Sequence, residues 1–276
     1  MNAIFKYPGS KWSIARWIID HFPEHHSYLE PFFGSGAVLF NKERSNIETV
    51  NDLDGYVTNL FRWIRDNPET LARVVYWIPY ARDSYENAIR ICAGKVGVEG
   101  QESLASAAAF CAKTMMGYGF RTNETMVGFK RDKQGREAAY AAYGWTNLPD
   151  KILEAAERLR GVQIENRPAV KLIREFNFPN VLIYADPPYV RDARSCPLPM
   201  YKHEMTDEDH EELLDALLRH RGPVIVSGYR SNLYDERLKD WHSEEIMTRN
   251  QTGQRKRDVI WMNYTPRRQK QMEMSL

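Results

Sequence analysis

Four consecutive residues, Asp186-Pro187-Pro188-Tyr189, are the part of this sequence best suited to chemistry. Neither proline can donate a backbone hydrogen bond, so the pair continues no strand and enters no helix interior. It makes a stiff corner. The preceding run, Val181-Leu182-Ile183-Tyr184-Ala185, reads as a buried strand, which puts the corner at a strand's carboxyl end, where open α/β sheets hold ligands. The Asp186 carboxylate and the Pro187 carbonyl then stand as acceptors beside the flat ring of Tyr189. Two acceptors and a ring suit an exocyclic amino group on a planar base.

A second motif, Glu30-Pro31-Phe32-Phe33-Gly34-Ser35-Gly36, follows a predicted strand (Ser27–Phe32) and opens a predicted helix at Ala37. Two glycines let the backbone approach a ligand closely and adopt positive φ. No Lys-Ser/Thr follows them, so this is not a P-loop, and the third glycine of a dinucleotide fingerprint is missing. With no pyrophosphate to cradle, the fitting ligand is a nucleoside with an uncharged linkage. Asp52 ends the next predicted strand, IETVND, where an acidic side chain can accept from both ribose hydroxyls. An ordinary turn is the competing reading of either motif alone, and their company weakens it.

The elements that must position these motifs are legible in outline. Tyr56 to Asp66 reads as a helix with Val57, Leu60, Phe61 and Ile64 on one face and Pro68 stopping it. The stretch from Tyr80 to Thr146 has a different texture, with an Ala-rich helix (Ser103–Lys113) followed by MMGYGFRTNETMVGF. The α/β rhythm then returns with a helix at His210–Arg221 and strands at Pro223–Ser227 and Val259–Tyr264. The carboxylates Asp207, Glu208, Asp209, Glu211 and Glu212 suit a helix start, favoured by its dipole. Strands alternating with helices mean a mainly parallel sheet covered on both faces.

At 276 residues, 43% hydrophobic and 27% charged, the chain can bury a large core and is neither disordered nor collagen-like. Its 38 Lys+Arg against 37 Asp+Glu hide an uneven distribution. Lys113 to Arg136 carries six basic residues and two acidic ones, and Arg249 to Lys270 carries seven and one. Such segments in a balanced chain point to localised contact with a polyanion. In the first, Arg121, Lys130, Arg131, Lys133 and Arg136 alternate with Tyr118 and Asn123, and Gly117 and Gly119 suggest a hairpin able to enter a groove. In the second, Arg255-Lys256-Arg257 is either a phosphate grip or a solvated turn. Apolar runs fall short of the roughly 20 residues of a membrane span, and the start MNAIFKYPGSK has no secretory pattern. Cys92, Cys111 and Cys196 form no CxxC pair, so reduced thiols in a cytoplasmic protein are expected, without a zinc ribbon. Pro23 breaks the spacing of His21, His25 and His26, for which a structural role rather than a metal is expected.

The ordered set Lys6-Tyr7-Pro8-Gly9-Ser10-Lys11, EPFFGSG at 30–36, Asn51-Asp52-Leu53-Asp54, Asp186-Pro187-Pro188-Tyr189 and Ser227-Gly228-Tyr229 resembles the Dam-like, D12-class DNA adenine N6-methyltransferases. The resemblance covers most of the chain, residues 80–145 least. It implies a Rossmann-like methyltransferase sheet with helices on both faces and an inserted, mainly helical target-recognition subdomain with a hairpin. The catalytic domain would span 1–79 and 147–276, and the insertion 80–146. It implies S-adenosyl-L-methionine as cofactor, with Tyr7 and Lys11 lining its pocket, Gly34 and Gly36 beneath it, Asp52 on the ribose, and Tyr7 or Phe32 facing the sulfonium. Asp186, Pro187, Pro188 and Tyr189 would receive an adenine flipped from double-stranded DNA, with Tyr118, Arg121, Asn123, Lys130, Arg131, Lys133 and Arg136 on the DNA. One departure is Pro168, in Ile164–Ala169, where the family places an acidic residue. Glu165 and Asn166 are the candidate replacements. A monomer or weak dimer in a bacterial or phage-infected cell, without membrane or metal, completes the expectation. The rival readings are cytosine N4 methylation by the same geometry, and a DNA-binding module of this fold without turnover.

Overall fold

The computed structural model describes residues 3–5, 7–94, 102–118, 122, 127–131, 141–190, 201–249 and 255–266. Among them, seven strands form one sheet: β1 (Ser27–Glu30), β2 (Ile47–Asn51), β3 (Gln163–Glu165), β4 (Val181–Ala185), β5 (Val224–Gly228), β6 (His242–Arg249) and β7 (Arg255–Met262). Their spatial order is β3-β2-β1-β4-β5-β7-β6. The first five run parallel, and β7 is antiparallel to both β5 and β6. From β1 the chain goes to β2 and β3 on one side and returns to β4 on the other. The connections leaving β1 and β4 therefore diverge, and a crevice opens outside their carboxyl ends.

Strand alternation builds two cores. Tyr28, Leu182, Tyr184, Ile225 and Ile260 face one way, toward α1 (Ala15–Ile19), α2 (Gly55–Asp66), α5 (Leu104–Met116) and α7 (Leu148–Leu159). Leu29, Ile183, Val226, Val259 and Trp261 face the other way, toward α8 (Ala169–Glu175), α9 (Asp207–Leu218) and α10 (Asn232–Arg237). Both faces are covered, as expected. Asp54 caps α2 by accepting from Tyr56 N at 3.0 Å. The capping box of Thr206 and Asp209 starts α9 three residues before the predicted His210. Such caps stabilise a helix by about 1 kcal/mol each.

Two expectations change. The helix predicted from Ala37 is a run of turns over 37–41, with Phe40 N bonded to Gly36 O at 3.0 Å and Lys42 N to Val38 O at 3.0 Å. Ala37, Val38, Leu39 and Phe40 are all buried, so the segment has no polar face to give a surface helix. Arg255, Lys256 and Arg257 begin β7, paired with β6, and form no turn. The helices of the 80–146 stretch, α4 (Arg82–Cys92), α5 and α6 (Ala141–Thr146), follow α3 (Pro68–Trp77), and α5 shares one apolar core with α2. No helix among the described residues is long and apolar enough to cross a membrane.

Candidate active site

The crevice holds a cavity of about 250 Å3 whose wall includes Tyr7, Lys11, Phe32, Gly34, Asp52 and Asp186. The glycine turn after β1, the end of β2 and the corner after β4 thus face one space. Gly34, at φ 48°, has the conformation that a side chain disfavours, and a Cβ there would lie 3.0 Å from the Tyr7 ring. Gly36, at φ 68°, sits behind the wall, where a Cβ would come within 2.6 Å of Phe33 and 2.7 Å of Phe40. Its bareness therefore serves packing of the turn, not approach to the cavity. The N-terminal segment folds over this turn: Ser10 Oγ meets Ser35 Oγ at 2.8 Å, and Trp12 Nε1 donates to Ser35 Oγ at 3.2 Å.

Asp52 accepts from Gly34 N at 2.8 Å and from Asp54 N at 2.9 Å, so its carboxylate ties the glycine turn to the start of α2. Burial, reinforced by the Asp54 charge, pushes its carboxyl up to about 7 against those two bonds. Asp54 Oδ1 lies 3.7 Å from Lys202 Nζ. Asn166 donates through Nδ2 to Asp52 O at 2.7 Å and Leu53 O at 3.2 Å, which braces the end of β2 from behind. Where an acidic residue was expected, Pro168, Ala169 and Val170 give the cavity an apolar wall. Tyr201 to Met205 close another side.

The Asp186 corner is held more tightly than the sequence suggests. Lys11 Nζ lies 2.9 Å from Oδ1 and 3.0 Å from Oδ2, and Ser227 Oγ donates to Oδ1 at 2.7 Å. Tyr184 OH meets Ser227 Oγ at 3.0 Å. Burial raises the Asp186 carboxyl above its ordinary value, while the Lys11 ammonium and the Ser227 hydroxyl pull it down. Glu30, at the end of β1, accepts from Tyr28 OH at 2.8 Å. Burial pushes its carboxyl up to about 8, with the Tyr28 bond opposing and the Asp186 charge adding. At neutral pH it is mostly protonated and so adds little like charge beside Asp186. Pro187 is buried and Pro188 is on the wall. Tyr189 lies just behind it, its ring 4.7 Å below Lys11 Nζ and 4.4 Å from the Tyr229 ring.

The predicted nucleic-acid residues divide. Tyr118, Lys130 and Arg131 come together on two antiparallel arms bridged at Gly117 and Phe129. Tyr118 N donates to Gly128 O at 3.0 Å, and Tyr118 OH reaches Arg131 O at 3.5 Å. Tyr80 OH donates to Lys130 O at 2.5 Å and Tyr85 OH to Val127 O at 2.7 Å, anchoring the arms to α4 and to the connection before it. Arg121, Asn123, Lys133 and Arg136 lie outside the described residues, as does Cys196. His21 contacts Trp17 O and Glu244, His25 contacts Pro23 O and Ser45, and His26 contacts Ser27. No group of three metal-ligating side chains is placed for an ion among the described residues.

Sequence reasoning named Lys11 as a pocket residue and missed its pairing with Asp186, which spans 175 positions. It also missed Glu30 and Ser227 beside the corner, Asp54 beside Asp52, and Asp258. A usable signal existed for the first three, since each stands at or just beyond the carboxyl end of a parallel strand. Asp258 belongs to the antiparallel strand and carried no such mark.

Residues 7–253 match the family of D12 class N6 adenine-specific DNA methyltransferases. The chain is also 26% identical over 262 residues to the Type II methyltransferase M1.LlaDCHI of Lactococcus lactis subsp. cremoris, an alignment covering 89% of each protein. A shared cavity beneath the glycine turn and the Asp-Pro-Pro-Tyr corner, set in this sheet order, agrees with that match, which extends over nearly the whole chain. The chain belongs to the D12 class N6 adenine-specific DNA methyltransferases, and it methylates adenine at specific sites in DNA.

Proposed function

We propose that the cavity binds S-adenosylmethionine and that the Asp186 corner receives an adenine extruded from duplex DNA. The observation that carries this reading is the opening of the Gly34 turn and the Asp186 carboxylate into one space. The residues fit the cofactor: a bare backbone at Gly34, an acceptor at Asp52, and an apolar slot from Pro168 to Val170. When bound, S-adenosylmethionine supplies an electrophilic methyl group on a sulfonium. Tyr7 or Phe32, both on the cavity wall, would add cation–π attraction of about 0.5–2 kcal/mol to that charge.

The adenine amino nitrogen is a poor nucleophile because its lone pair is delocalised into the ring. Asp186 and the Pro187 carbonyl would accept its two N–H bonds and localise the pair, while stabilising positive charge that develops on nitrogen. Pre-set dipoles of this kind stabilise a transition state by about 3–4 kcal/mol each. Lys11 favours the ionised, accepting form of Asp186 against the effect of burial. Extruding the base costs a few kcal/mol, offset by contacts from the 80–146 stretch, whose arms carry Tyr118, Lys130 and Arg131. Residues 1–79 and 147–276 form the catalytic part.

Incubation with methyl-labelled S-adenosylmethionine and mixed-sequence duplex DNA is expected to give labelled N6-methyladenine. Label on cytosine N4, or DNA binding without any label, would overturn the reading. Cofactor affinity should depend on pH through Asp52. Its carboxyl, pushed up to about 7 by burial, must be ionised to serve the Gly34 and Asp54 amides and the ribose hydroxyls together. Calorimetric titration with S-adenosylmethionine should therefore weaken as pH falls through 7, by at most about tenfold per unit for one proton. Asp52→Asn should flatten the dependence. An affinity constant between pH 8 and 6 would remove Asp52 from the cofactor site.

A further inference from the structure

Among the strands, β7 runs against its neighbours, so its beginning rather than its end lies at the ligand-bearing edge. The register places Ser227 of β5 opposite Ile260, and Gly228 opposite Val259. Asp258, two residues before Ile260, therefore emerges just beyond the end of β5 on the same face as Ser227. There it is 7% exposed, on a strand that is otherwise apolar from Val259 to Met262. A β-branched residue would suit the position better, and a buried carboxylate is costly unless bonded. Its two oxygens take two hydroxyls: Oδ1 accepts from Tyr189 OH at 3.3 Å and Oδ2 from Thr248 Oγ1 at 2.5 Å.

We propose that Asp258 is a positioning residue for Tyr189, holding its ring in the attitude that flanks the target base before that base arrives. Thr248, on β6, orients the carboxylate. Tyr189 is then fixed from three directions: Asp258 at its hydroxyl, Lys11 over its face at 4.7 Å, and Tyr229 against it at 4.4 Å. A ring ordered in advance does not lose its rotamer freedom when the nucleotide binds. The antiparallel end of the sheet thereby contributes to catalysis without touching substrate. This inference rests on the reading of Tyr189 as part of the methyl-transfer corner.

The test is a double-mutant cycle of Asp258→Leu and Tyr189→Phe, read as kcat and as cofactor KM in labelled methyl transfer to mixed-sequence duplex DNA. Each single variant is expected to lower kcat about tenfold, the cost of ordering one aromatic side chain as the extruded base docks within the bound complex, with cofactor KM unmoved. The double variant should be no slower than the worse single one. Asp258→Asn, which keeps an acceptor for the hydroxyl, should retain most of the rate. Multiplying losses of about 100-fold in the double variant would mean that Asp258 acts only on general stability, and the proposal fails. Should Asp258→Leu not fold, Tyr189→Phe still decides, because full kcat without the hydroxyl leaves nothing for Asp258 to hold. Asp186→Ala serves as reference: if it stays active, the corner itself has been misread, whatever the cycle gives.

Discussion

Asp186→Ala is expected to lower kcat for adenine methylation by about 10²–10³-fold or more, the cost of deleting one pre-set acceptor. DNA affinity should change by less than about twofold, because the residue lies inside the cavity and not on the arms that carry Tyr118 and Arg131. The fold should survive. Removing a partly buried carboxylate that holds both Lys11 and Ser227 leaves Lys11 with Gly9 O as a partner at 2.9 Å, and Ser227 with Tyr184 OH at 3.0 Å. Asp186→Asn should fall almost as far, since its amide nitrogen would present a donor toward Lys11 or toward the amine. Electrophoretic binding and labelled transfer, measured on the same preparations, separate the two effects. A variant that keeps within tenfold of the wild-type rate would mean that the acceptors lie elsewhere.

Lys11→Met should cost roughly 10²-fold near neutral pH and move the acid limb of the activity profile upward. Burial already raises the Asp186 carboxyl, and the Lys11 ammonium is the first of the influences holding it down. Without that ammonium, an isolated buried carboxylate takes up a proton rather than stay charged. A protonated Asp186 presents a hydrogen where the amine needs an acceptor, so activity falls as pH drops through the raised value and recovers as pH climbs above it. Glu30 adds to the effect, since its own carboxyl, pushed up to about 8 by burial, ionises beside Asp186 on the alkaline side. If Lys11 served only to line the cofactor space, the substitution would instead raise cofactor KM and leave the profile in place. A pH series of kcat and cofactor KM for both proteins decides between them.

How far these sites could be read in advance depended on the range of the interaction concerned. Val181–Ala185 was legible residue for residue, because a strand buried on both faces is a short apolar run that a proline corner ends abruptly. The helix over 55–66 was legible within one residue from its apolar spacing and Pro68. The turn at 37–41 misled, since the apolar run 37–40 has no periodicity to separate a helix from buried turns. Strand β6, with the sequence HSEEIMTR, escaped because charges on an edge strand mask alternation. Gly34 and Gly36 looked equivalent as letters, yet one faces the cavity and the other faces Phe33 and Phe40.

Residue type and local order alone determined that a stiff corner follows a buried strand, that a bare turn follows another, and that a carboxylate ends a third. Those are properties of a few neighbouring residues, set by proline's missing donor, glycine's freedom and the apolar run of a covered strand. Only the tertiary structure decided that Lys11 would neutralise Asp186, that Ser227 would share it, and that Asp258 would reach Tyr189 from an antiparallel strand. Each of those contacts joins segments about 40 to 175 residues apart. Strand order and register choose such partners, and neither is written in any short stretch of chain.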